Sequence, residues 1–88
     1  MIEVEYTRRF LRDLSKLTAV LQEEVLEKVE LFKNERNHRQ LRAHKLKGEL
    51  RGKLSFSVNY SYRIMFECAA GTKKTVILLT IGDHSIYS

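Results

Sequence analysis

Hydrophobic side chains recur with two different periods along this chain, and the order of those periods constrains the fold. Ile2, Val4 and Tyr6 alternate with glutamates, which predicts a short strand with one wet face. Apolar residues then recur three and four apart in two runs: Phe10, Leu11, Leu14 and Leu17, then Leu21, Val25, Leu26, Val29 and Phe32. Thr7 and Thr18 precede these runs as N-cap residues. We therefore expect two helices, joined with almost no linker into an antiparallel hairpin.

The second half of the chain changes to the period of a β-strand. Leu54, Phe56 and Val58 alternate with polar residues, and apolar runs follow at 62–67 and 75–81, separated by turn residues. The predicted order is β-α-α-β-β-β. This is an α+β fold in which a two-helix hairpin packs on a mainly antiparallel four-stranded sheet. Residues 1–88 are expected to form a single domain, because the chain is too short to divide into two.

Positive charge is concentrated in one segment, residues 33–53, which we call the basic segment. The chain carries a formal charge of +5, and the basic segment alone carries +6, since Glu35 and Glu49 are its only acids. Its cations are Lys33, Arg36, Arg39, Arg42, Lys45, Lys47, Arg51 and Lys53. Such clustering against a near-neutral remainder is typical of nucleic-acid binding, although a merely solvated loop has the same composition.

Several classes of protein are disfavoured by the sequence. The only cysteine, Cys68, lies in an apolar run where a buried thiol is expected; one cysteine provides neither an internal disulfide nor the thiolates of a typical zinc site. Neither a signal peptide nor a membrane span is recognisable, so a cytoplasmic protein without membrane contact is expected. The sequence motifs indicate no cofactor and no metal.

Two polar residues occur where a purely structural strand would not need them. Arg63 interrupts the apolar run 62–66, and an arginine there requires an anionic partner, either a carboxylate such as Glu67 or a bound phosphate. His84 follows the last strand, two residues after Gly82, and histidine exchanges a proton near neutral pH. Both residues are therefore candidates for a phosphate-directed site.

The combined motifs resemble the RelE/ParE superfamily of toxins from type II toxin–antitoxin systems. The resemblance rests on the order and spacing of Leu46-Lys47-Gly48, Gly52, Tyr62-Arg63-Ile64 and Gly82-Asp83-His84. It covers nearly the whole chain and implies a microbial-RNase-like fold. It also implies a translation-inhibiting mRNA endonuclease, expected to depend on the ribosome, in which a ribose 2′-OH attacks the adjacent phosphate. The implied partners are mRNA, the ribosome and a cognate antitoxin, with a toxin–antitoxin heterotetramer as one arrangement.

Residue roles follow from the same resemblance. Arg63 matches the strand arginine that holds the scissile phosphate, and His84 matches the C-terminal catalytic position. Tyr87 lies near the family's terminal aromatic residue, and His44 matches a histidine of YafQ-like members. The expected RNA-binding residues come instead from the charge of the basic segment around Gly48 and Gly52: Lys45, Lys47, Arg51 and Lys53.

The sequence also departs from the family pattern, and two other functions stay open. The strand lysines of RelE fall on Leu54 and Phe56, so catalysis would depend on histidine with Arg63 and Lys53 offsetting the phosphate charge. One alternative is a ParE-like protein that inhibits DNA gyrase without enzymatic activity. The other is a non-catalytic RNA-binding module. Loss of translation before loss of replication would favour the endonuclease.

Overall fold

A computed structural model describes residues 1–48, 52–72 and 74–83. Its elements, in chain order, are β1 (Glu3–Tyr6), α1 (Arg8–Ser15), α2 (Ala19–Phe32), a short 3₁₀ helix (Glu35–Asn37), β2 (His44–Lys45), β3 (Leu54–Ser57), β4 (Tyr62–Cys68) and β5 (Thr75–Asp83). The predicted order of helices and strands is confirmed, with β2 as an addition.

The strands form one five-stranded sheet in the order β1-β5-β4-β3-β2. Only the β1–β5 pair is parallel, and the other three pairs are antiparallel. The mainly antiparallel sheet was predicted correctly, whereas the prediction of four strands was wrong. β2 was missed because it is only two residues long and lies in a polar segment without apolar alternation.

Both helices begin at the predicted caps. The Thr7 hydroxyl accepts a hydrogen bond from the backbone N–H of Phe10 at 3.1 Å, and it donates to the Leu78 carbonyl at 2.8 Å. The Thr18 hydroxyl accepts from the Leu21 N–H at 3.2 Å. Thr7 therefore starts α1 and also fastens it to β5.

The hydrophobic core lies between the helices and one face of the sheet, which we call the helix-side face. Phe32 of α2 stacks on Phe56 of β3 with ring centroids 4.2 Å apart, and it contacts Phe66 of β4 at 4.9 Å. Such aromatic pairs contribute about 0.5–1.5 kcal/mol beyond the area that they bury. The helical periodicity overestimated this core in two places, because Leu11 and Leu26 are exposed to solvent.

Leu41 and Cys68 differ in burial. Leu41 is buried and anchors the basic segment to the core. Cys68 is exposed, so the prediction of a buried thiol was wrong; it is the last residue of β4, where the strand leaves the sheet. Within the described ranges, no helix is long and apolar enough to cross a membrane.

Candidate functional site

The candidate site lies on the sheet face opposite the core, which we call the site face. Cross-strand pairing aligns His44 of β2 with Ser55 of β3, and Ser57 of β3 with Arg63 of β4. Side chains at alternate strand positions point to the same face, so these four residues share it. Ser55 and Ser57 are the polar residues that alternate with the apolar residues of β3; Ser55 is buried on this face and Ser57 is partly buried.

Arg63 is held from several directions within this face. Its Nε–H donates to the Ser55 hydroxyl at 3.0 Å, and its Nη2 donates to the backbone carbonyl of Arg42 at 3.1 Å. Because Ser55 is fully buried and belongs to the middle of the sheet, its hydroxyl is a fixed acceptor. The two contacts orient the plane of the guanidinium. Of the two kinds of anionic partner expected for Arg63, the carboxylate of Glu67 accepts a hydrogen bond from Lys53, at 2.7 Å.

His44 lies beside the same arginine. Its Nδ1 atom is 2.8 Å from the Arg42 carbonyl oxygen and 3.2 Å from the Nη2 atom of Arg63. Two lone pairs would repel at 2.8 Å, so the ring proton belongs on Nδ1 and is donated to the carbonyl. In the neutral ring, Nε2 then carries the lone pair and can accept a proton. We call Arg63, Ser55, His44 and the Arg42 carbonyl the Arg63 cluster.

The shared carbonyl depends on an unusual backbone conformation. Arg42 has φ of 56°, in the left-handed region that side chains rarely adopt. The cause is a helix-ending turn, in which the Ala43 N–H donates to the His38 carbonyl and the Arg42 N–H donates to the Arg39 carbonyl. This is the hydrogen-bond pattern of a Schellman motif with Arg42 at its left-handed position. Residue types do not indicate this turn, since glycine is the usual residue at its left-handed position.

The turn is also fastened to the sheet. The Leu41 carbonyl accepts from the Ser57 backbone N–H at 2.7 Å, directly before Arg42 in the chain. The Arg42 carbonyl is therefore positioned against β3 and β4 rather than on a loose loop. An open pocket of about 420 Å³ adjoins it, lined by Arg42, Ser57, Asn59, Tyr60 and Arg63.

The predicted site residues are only partly brought together. His44 and Arg63 are in contact, and Lys53 is engaged with Glu67. Lys45 is the cross-strand neighbour of Leu54 and so belongs to the helix-side face, away from His44. Lys47 is exposed beside Gly48. Arg51, His84 and Tyr87 lie outside the described residues.

Among the residues that the structure describes, no three His, Cys, Asp or Glu side chains are grouped as metal ligands. What the Arg63 cluster offers instead is an oriented cation beside an imidazole that can take up a proton. A cation of this kind suits a phosphate group, and the imidazole suits proton transfer.

Comparison with known proteins gives likeness at the level of structure. No protein-family model matches the chain, and no curated protein matches it. The toxin–antitoxin complex RelBE2 from Mycobacterium tuberculosis contains a chain with 26% identity and a TM-score of 0.70, covering 93% of this chain and 96% of that one. The archaeal RelE–RelB complex from Pyrococcus horikoshii matches at 16% identity and a TM-score of 0.70, covering 93% of both chains. YafQ from E. coli matches at 13% identity and a TM-score of 0.67, covering 98% of this chain and 97% of that one.

Proposed function

By its structure the chain belongs to the RelE/YoeB/ParE-type toxin superfamily, and on that premise we propose that it is a toxin that cleaves mRNA on the ribosome. The observation that carries the proposal is the Arg63 cluster. It combines an arginine whose orientation is fixed by Ser55 and the Arg42 carbonyl with an imidazole on the same sheet face.

The chemistry of RNA cleavage uses these two groups directly. The ribose 2′-oxygen attacks the adjacent phosphorus, a new P–O2′ bond forms, and the P–O5′ bond breaks. Nε2 of His44 takes the 2′-OH proton, while Arg63 stabilises the negative charge that grows on the phosphate oxygens. His84, which lies outside the described residues, is assigned the complementary role of protonating the leaving 5′-oxygen.

We further propose an antitoxin as the regulatory partner. Three of the similar structures are complexes of a toxin with its antitoxin, namely RelBE2, RelE–RelB and YoeB–YefM. A protein that covers the site face would exclude RNA from the Arg63 cluster. The exposed cations of the basic segment favour a partner with acidic side chains.

The proposal is tested by mRNA cleavage in a reconstituted translation reaction, followed by primer extension. Replacing Arg63 by Gln should lower the cleavage rate about 10²–10³-fold, because a fixed donor to the reacting phosphate is lost. His44→Gln should lower it about 10²–10⁴-fold through loss of a proton acceptor. The matched control is Arg9→Gln, which removes an exposed cation of α1, outside the basic segment, and should leave the rate unchanged.

Two outcomes would contradict the proposal. If the wild-type protein leaves mRNA intact both with and without ribosomes, the endonuclease function is wrong. If it blocks supercoiling by DNA gyrase while translation continues, the ParE-like alternative takes its place.

A further inference from the structure

Tyr60 presents an aromatic ring to solvent beside the Arg63 cluster. It lies at the tip of the turn between β3 and β4, and it is 93% exposed. Tyr62, two residues later, is partly buried against the core instead. An almost fully exposed tyrosine ring adds little to the core, and its flat apolar face and polar hydroxyl are suited to contact a ligand.

The turn that carries Tyr60 is held firmly in place. The Asn59 side-chain oxygen accepts from the backbone N–H groups of Ser61 and Tyr62, at 2.8 and 2.9 Å. Its side-chain nitrogen donates to Glu24 of α2 at 2.6 Å, and the Ser57 hydroxyl donates to the Asn59 carbonyl at 2.9 Å. Tyr60 therefore extends from a backbone that is fixed on both sides, which lowers the entropy that binding would cost.

Tyr60 and Arg63 line the same pocket of about 420 Å³. The other lining residues are Arg42, Ser57 and Asn59, so the lining contains two guanidinium groups, an amide, a hydroxyl and one aromatic ring. No aliphatic side chain is among the described lining residues. Two guanidinium groups beside one exposed ring suit a nucleotide, because its base can stack on the ring while its phosphates contact the cations.

We propose that Tyr60 is a stacking platform for one base of single-stranded RNA, next to the phosphate that Arg63 holds. The inference rests on the proposed function and specifies how the substrate is seated there. The base lies on the tyrosine ring, and the neighbouring phosphates lie against Arg42 and Arg63. Paired bases are stacked within a duplex and cannot reach the ring, so the pocket selects single-stranded RNA.

The test combines variants of Tyr60 with removal of one base from the RNA. The RNA is a short single strand with a 2′-O-methyl group at the cleavage position, so that it binds without being cut. A matched set carries one abasic nucleotide at each position in turn. Tyr60→Leu removes the ring, and Tyr60→Phe keeps it as the control. Melting temperatures should stay equal, because the side chain is almost fully exposed.

For the wild type, one abasic position near the cleavage site should weaken binding roughly 5- to 150-fold, the range expected for one base on an aromatic ring. Tyr60→Leu should weaken binding of the intact RNA by the same factor, with no further loss at that abasic position. Tyr60→Phe should behave like the wild type. In the translation reaction, Tyr60→Leu should likewise cleave more slowly than the wild type and Tyr60→Phe. These cleavage rates test the stacking platform if free RNA binds too weakly to measure.

The inference and the proposed function fail in different ways. Wild-type-like binding and cleavage by Tyr60→Leu would overturn the stacking platform and leave the endonuclease intact. Loss of antitoxin affinity in Tyr60→Leu, with RNA binding and cleavage unchanged, would also overturn it and assign the ring to a protein contact. If the wild type neither binds nor cuts RNA, the proposed function and this inference fall together.

Discussion

Arg42 joins backbone strain to the candidate site. Among the described non-glycine residues, it alone has a positive φ, 56°, and its carbonyl receives hydrogen bonds from both His44 and Arg63. A left-handed conformation costs a side-chain-bearing residue roughly 1–2 kcal/mol. The strain persists because the Schellman turn and the backbone bond from Ser57 to the Leu41 carbonyl fix the chain on both sides.

Replacing Arg42 by glycine should therefore stabilise the protein. Glycine accepts this φ without strain, but it also gains entropy in the unfolded chain, which leaves a net gain of about 0.5–1 kcal/mol. The expected rise in melting temperature is about 2–8 °C, measured by thermal denaturation. Arg39→Gly in the same turn is the control: its φ is negative, so glycine should lower the melting temperature. Equal shifts in both variants would show that charge, and not backbone strain, sets the change.

At the level of single residues, the sequence located Arg63 but not what orients it. A cation within an apolar strand was visible from residue types alone. The Ser55 hydroxyl accepts from Arg63 because of the register between β3 and β4. The Arg42 carbonyl accepts from Arg63 because of a turn that residue types do not predict. Contacts of this kind depend on residues 8 and 21 positions away, so local pattern carries no signal for them.

Among the elements, α1 has a role beyond packing. β1 pairs with β5 only as far as Leu78, and among the strands that the structure describes none pairs with the rest of that edge of β5. Asp13 of α1 covers it: its carboxylate accepts hydrogen bonds from the Ile81 backbone N–H at 3.1 Å and from the Thr80 hydroxyl. A buried edge N–H without an acceptor would be costly, so Asp13 replaces the missing strand there.

Removing this acceptor should destabilise the fold. Asp13→Ala removes the carboxylate that accepts from the Ile81 N–H and the Thr80 hydroxyl, which should lower the free energy of unfolding by about 1–3 kcal/mol. Asp13→Asn keeps one acceptor oxygen and should lose less. Ser15→Ala on the exposed side of the same helix is the control and should melt like the wild type. An Asp13→Ala protein with the wild-type melting temperature would mean that water serves this edge equally well.

The elements themselves were predictable wherever the hydrophobic period was clear. The helices began at Thr7 and Thr18, and the three later strands fell on their alternating or apolar runs. The position of β1 beside β5 was not predictable, because pairing between the two ends of the chain leaves no local signal. β2 was missed for a related reason: it exists only through its pairing with β3.

Over the whole molecule, positive charge collects toward one edge of the sheet. β2 forms that edge and lies within the basic segment. Not all of its cations are equally available, since Lys33 pairs with Glu30 and Lys53 pairs with Glu67, each at 2.7 Å. The predicted RNA-binding set is therefore uneven, and Lys47, exposed beside Gly48, is the clearest probe of it.

A charge reversal at Lys47 should weaken RNA binding and also change its salt dependence. Each phosphate contact to a single strand contributes about 0.7 to the slope of log K against log salt concentration, so loss of one contact should flatten the slope by about that amount. Arg9→Glu is the control, because it changes net charge equally from α1, which packs against β5, three strands from β2. Binding titrations at several salt concentrations should show a flatter slope for Lys47→Glu and the wild-type slope for Arg9→Glu. If the two variants had the same salt dependence, the attraction for RNA would come from overall charge. Phosphate contacts made by the basic segment would lower the slope only in Lys47→Glu.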